Sequence, residues 1–121
     1  MNDETLYKIR WAFDQYQLFA KSTAVYPKKN YISGLTYTVL GLVGETGEIV
    51  EKVKKAIRDS EGIINEDTRS AIRSEIGDVL WYLSQLSQEL GFSFGDVAAL
   101  NVMKLESRQE RGVLRGQGDT R

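Results

Sequence analysis

Two acidic pairs carry the clearest potential for chemistry. Glu45 and Glu48 stand three residues apart, and so do Glu75 and Asp78. On a helix, an i, i+3 spacing puts both side chains on one face, about 4.5 Å apart along the axis. Each pair borders apolar residues: Leu42 and Ile49 beside the first, and Ile72, Ile76 and Val79 beside the second. If the two helices pack antiparallel, four carboxylates meet at the edge of the core. Such a cluster is costly to desolvate unless a cation sits among them. Mg²⁺ or Mn²⁺ is the natural partner, because hard cations take oxygen ligands. A di-iron bundle needs Glu-x-x-His pairs on the same scaffold, and the chain has no histidine. The plainer alternative is a solvated acidic face paired with lysines one turn on, as Glu48 with Lys52 and Glu51 with Lys55. Spacing alone favours neither.

Glycines shift the balance. Gly41, Gly44 and Gly47 surround the first pair, and Gly77 lies between Glu75 and Asp78. Each interior helical glycine costs about 1 kcal/mol relative to alanine. Close helix approach, or room for a ligand against the backbone, would offset that cost. Tight packing without a ligand is the alternative at any single position, and a weaker one for a cluster beside acids.

Composition narrows the chemistry further. The chain has 121 residues, 41% hydrophobic, with 16 basic and 17 acidic side chains and a net charge of −1. That balance gives no general attraction for polymeric nucleic acid or an anionic membrane. Without cysteine there is no disulfide framework and no thiolate zinc site, and without histidine no Ser-His or Cys-His nucleophile. The start, Met1-Asn2-Asp3-Glu4, lacks the basic and apolar regions of a signal peptide, so a cytoplasmic location and no membrane association are expected. Catalysis would fall to carboxylates, Lys, Arg, Tyr and a hard metal.

The elements that must position these groups are helices. Apolar residues recur every three or four positions from Thr5 to Lys21, with Asp3 or Thr5 as the cap. Residues 22–34, containing Pro27 and closed by Gly34, read as a loop. A second helix is expected over Leu35 to Asp59, burying Val39, Leu42/Val43, Ile49/Val50, Val53 and Ile57. A third covers Glu66 to Leu90, with Gly91 behind it as a stop. Ser93 caps a fourth, running to about Arg111. The pattern predicts an all-α, four-helix-bundle domain over residues 1–111 and a flexible tail over 112–121.

The run Gly41-Leu-Val-Gly-Glu45-Thr-Gly-Glu48, followed by Glu75-Ile-Gly-Asp78-Val-Leu-Trp-Tyr82, resembles the E-x-x-E…E-x-x-D signature of the MazG-like all-α pyrophosphohydrolases. The likeness extends through Asn101, Lys104 and Arg108 and covers about residues 35 to 121. It implies that Glu45, Glu48, Glu75 and Asp78 hold Mg²⁺, with Mn²⁺ an alternative, on a nucleoside triphosphate. Water would attack the α-phosphorus and pyrophosphate would leave, in house-cleaning or nucleotide-pool control. Glu45 or Glu48 would take the proton from water. Asn101, Lys104 and Arg108 share one helical face, which the resemblance directs at the triphosphate; an ordinary solvated stripe is the competing reading.

Tyr82, one turn after Asp78, is a candidate to stack on the base or touch the sugar, and equally a core aromatic. Tyr31 and Tyr37 are weaker candidates for the same pocket. Tyr7, Trp11, Phe13, Tyr16 and Phe19 point in several directions from the first helix, more than a single chain covers, so self-association to a dimer or tetramer is expected. The MazG-like resemblance implies the same. The glycines and arginines of the tail suggest a segment that folds over bound nucleotide. Two other classes remain open: a helical interaction module, and a nucleotide or metal sensor without efficient turnover.

Overall fold

The computed structural model describes residues 1–27 and 31–115. Helix α1 spans Asp3–Ser22 and is capped by Asn2, whose side chain accepts from the Thr5 amide at 2.9 Å. Asp3 and Glu4 therefore lie inside the first turn, where acidic groups favour the positive end of the helix dipole. The cap is thus Asn2 rather than Asp3 or Thr5.

Helix α2 covers Tyr31–Asp59 and begins before the predicted Leu35. Gly34 lies within the helix and does not close a loop. A Cβ there would overlap the Glu89 carboxylate, so the glycine serves helix contact. Glu61 and Gly62 then turn the chain with φ of 53° and 80°. Asn65 caps α3 (Glu66–Glu89), accepting from the Thr68 amide at 2.8 Å. Gly91, at φ 75°, ends that helix, and Ser93 caps α4 (Phe94–Glu110). Gly112, at φ 68°, closes α4. The tail's residues 116–121 lie outside the described residues.

The helices form two antiparallel pairs. In α2/α3, Gly34 faces Glu89, Gly41 faces Tyr82 and Glu45 faces the Glu75–Asp78 turn, so steps along one helix match steps back along the other. In α1/α4, Arg10 pairs with Asp96 at 2.9 Å, and Asp14 accepts from Ser93 Oγ and the Gly95 amide. Gln17 donates to the Phe92 carbonyl and accepts from the Phe94 amide. Helix α3 joins the pairs by touching all three others, whereas among the described residues α2 packs against no other helix than α3.

That arrangement reverses the expected burial of α2. Val43, Val50 and Ile57 are 66%, 61% and 65% exposed, and Val39 and Val53 are also exposed; only Leu42 and Ile49 are half-buried. The side of α2 against α3 carries Gly34, Thr38, Gly41, Glu45, Lys52 and Ala56. Small and charged residues line the inner face because it holds the acidic cluster and admits the α3 side chains. The apolar stripe, which no other helix covers among the described residues, faces outward. The fully buried side chains include Thr38, Ser84 and Gln85, so the interior between helices is notably polar.

Candidate metal centre

Glu45 projects from α2, and Glu75 and Asp78 from successive turns of α3. Each offers an oxygen, and these oxygens all lie within 4.8 Å of one another. The matched antiparallel register brings them together. Partial burial and the neighbouring Asp78, Glu75 and Glu48 charges push the Glu45 carboxyl above its ordinary pKa, and it hydrogen-bonds to Glu75. The first cause is lost hydration, followed by like-charge repulsion and the hydrogen bond to Glu75. A three-carboxylate oxygen set fits a hard divalent cation by its donor chemistry.

Glu48, the fourth predicted acid, stands outside that triad. Its Oε2 lies 3.5 Å from Lys52 Nζ, and the same ammonium is 2.8 Å from Glu75 Oε1. The hydrogen bond to Glu75, followed by the attraction of both acids, raises the Lys52 pKa. The i, i+4 pairing of Glu48 with Lys52 was legible in the sequence; the reach of Lys52 across to α3 was not. Its signal was a position two turns after Glu45, on the same face. Lys54 and Lys55 both pair with Glu51, away from the triad.

Tyr82 lies directly over Gly41, where an added Cβ would overlap its ring. It hydrogen-bonds to Tyr37, and burial, that bond and the charges of Glu45 and Asp78 raise its pKa. Tyr37 stacks on Tyr26 with ring centroids 4.8 Å apart, and Trp81 meets Tyr26 edge-on. Trp81 also donates to Thr23 Oγ1 at 2.8 Å. An aromatic wall therefore borders the acids, with Tyr82 as its nearest member. The Tyr31 side chain lies outside the described residues.

At the glycines around the acids the sequence offered close helix approach or room for a ligand, and Gly41 makes the close approach. A Cβ added at Gly44, Gly47 or Gly77 would meet nothing within 4 Å. The α4 face is divided as well: Asn101 and Lys104 are exposed, while Arg108 is buried. Among the described residues helix α4 packs on α1 and α3 without touching α2, so Asn101 and Lys104 are not brought against the α2 acids. Between α2 and α3, beyond Lys52, a cleft of about 380 Å³ is lined by Lys55, Ala56, Asp59, Asp67 and Thr68. No helix among the described residues is long and apolar enough to cross a membrane.

A family model described as the MazG nucleotide pyrophosphohydrolase domain matches residues 34–113, which include both acidic pairs and the α4 face. The Gene 37 protein of Mycobacterium phage L5 is 46% identical over 111 residues, covering 89% of this chain and 97% of that protein. No solved structure matches.

Proposed function

The chain belongs to the MazG nucleotide pyrophosphohydrolase family, and on that premise we propose that it hydrolyses a nucleoside or deoxynucleoside triphosphate to monophosphate and pyrophosphate. The observation that carries this reading is the convergence of Glu45, Glu75 and Asp78 oxygens from two helices within 4.8 Å. Those three residues would hold Mg²⁺, or Mn²⁺ in its place. The ion, when bound, supplies charge neutralisation on the phosphoryl oxygens and a more acidic water. Glu48, beside the triad and 3.5 Å from Lys52, is the carboxylate to take the proton from water attacking the α-phosphorus. Tyr82, backed by Gly41 and Tyr37, would offer a surface for base or sugar. Such an activity suits nucleotide-pool control.

The reading extends to a homo-oligomer. A side chain at Gly44 or Gly47 would meet nothing within 4 Å, so the cost of each in a helix is not offset by packing inside one chain. Beside them Val43, Val50 and Ile57 form an outward apolar seam, and Tyr7, Trp11 and Phe19 are exposed on α1. A second copy would cover such a face, and would give Asn101 and Lys104 a route to a neighbour's triphosphate site.

The test is a product assay. Individual NTPs and dNTPs are incubated with Mg²⁺, and the phosphorus products are resolved by ³¹P NMR. Pyrophosphate with monophosphate, lost on adding chelator, is the expected result. Orthophosphate with diphosphate would refute it.

A further inference from the structure

We propose that Tyr26, in the segment that follows α1, is a positioning residue that sets the ring meeting the nucleotide's base. The inference rests on the reading of Tyr82 as a surface for base or sugar and deepens it. A nucleoside triphosphate has a charged end and an aromatic end, and the α2/α3 hairpin sorts them along its length. Lys52 lies two turns after Glu45, while Tyr82 lies over Gly41, one turn before Glu45. With the α-phosphate at the acids, the outer phosphates extend toward the ammonium and the nucleoside toward the rings. The π faces of those rings suit stacking on a base.

Gly41 makes room for the Tyr82 ring, and Tyr37 holds its hydroxyl end by a hydrogen bond. Tyr37 is itself 43% exposed, so it needs a support. Tyr26 supplies one: the two rings stack with centroids 4.8 Å apart and planes 12° from parallel. Tyr26 is 7% exposed, and its hydroxyl donates to Glu89 Oε1 at 2.5 Å. Burial, then that bond, raise the Tyr26 pKa, so it keeps the proton it donates. Trp81 meets Tyr26 edge-on and donates to Thr23 Oγ1. A chain of contacts thus runs from Glu89 through Tyr26 and Tyr37 to Tyr82, whose ring borders Glu45 and Asp78. The matched domain begins at residue 34, so Thr23 and Tyr26 buttress the base side from outside it. Base preference then depends on this segment, while the acids serve the phosphates whatever the base.

The experiment compares full-length wild type, Tyr26→Phe and Tyr37→Phe. Tyr26→Phe keeps the stack and loses the bond to Glu89, whereas Tyr37→Phe keeps the stack and loses the bond to Tyr82. Each NTP and dNTP is assayed with Mg²⁺, and inorganic tripolyphosphate serves as a competitor that has no base. KM for the preferred nucleotide should rise about fivefold or more in both variants, with kcat within about twofold of wild type. The rise should differ from base to base, while the inhibition constant of tripolyphosphate stays unchanged. Circular dichroism checks folding, and the exposed Tyr37 gives a second variant should Tyr26→Phe not fold. Unchanged KM, an equal rise for every base, or weaker tripolyphosphate inhibition in parallel would overturn the inference and leave the hydrolase reading standing. Wild type that hydrolyses no triphosphate, and binds no α,β-imido analogue of one, would overturn that reading and this inference with it.

Discussion

Asp78 and Glu45 belong to the same triad but predict different behaviour on substitution. Asp78→Asn keeps the shape and removes a charged ligand, so kcat/KM should fall by roughly 10²-fold or more, about 2.7 kcal/mol of transition-state stabilisation. Steady-state kinetics across Mg²⁺ concentrations checks this, and wild-type rates at every concentration would remove Asp78 from the site. Glu45 reports instead on the metal-free protein. Its folded-state pKa is raised, so the folded state holds that proton more tightly than the unfolded chain. The associated stability is present below the ordinary carboxylate pKa and is lost as pH rises through the raised value. Glu45→Gln should therefore melt at a higher temperature than wild type in chelator at neutral pH. The gap should close in acid, as thermal scans at the two pH values will test. The acids themselves were legible from spacing, because i, i+3 fixes a shared face. The separation of Glu48 from the triad was not, because it depends on how α2 is turned against α3.

Along the elements, the α2/α3 register hangs on Gly41. The ring of Tyr82 occupies the space a methyl group would need, so Gly41→Ala must push the helices apart or turn the tyrosine away. A loss of about 1–3 kcal/mol is expected, as for other overpacked contacts. Activity should fall with it, since Tyr82 borders Glu45 and Asp78; chemical denaturation and kinetics on the same variant test both. Three of the four helices were legible nearly to their ends, because apolar periodicity marks α1 and α3 and the local signals of Gly91 and Ser93 set the stop of α3 and the start of α4. The start of α2 was not, since Gly34 looks like a loop residue until Glu89 is seen against it. The inner face of α2 was misread for a related reason. Hydrophobic periodicity finds the apolar stripe, but cannot say whether that stripe faces the same chain or another.

For the molecule as a whole, that outward stripe makes association the central expectation. Light scattering at micromolar concentration should give a mass of at least a dimer. Val50→Glu with Ile57→Glu should shift it toward monomer, because burying those charges in an apolar seam is unfavourable. A wild-type monomer would refute the expectation. The arrangement of the two pairs has another consequence, in the order of assembly. Helices α2 and α3 are joined by a short turn and can zip locally, whereas α1 and α4 come from opposite ends of the described chain. Closing the outer pair carries a larger loop entropy, which is offset only when its contacts form. Gln17 and Asp14, the residues that clasp the start of α4, should thus engage after the inner hairpin has formed. Pulse-labelled hydrogen exchange should find α2 and α3 amides protected before those of α1 and α4, making the acid-bearing hairpin the first part of the protein to exist.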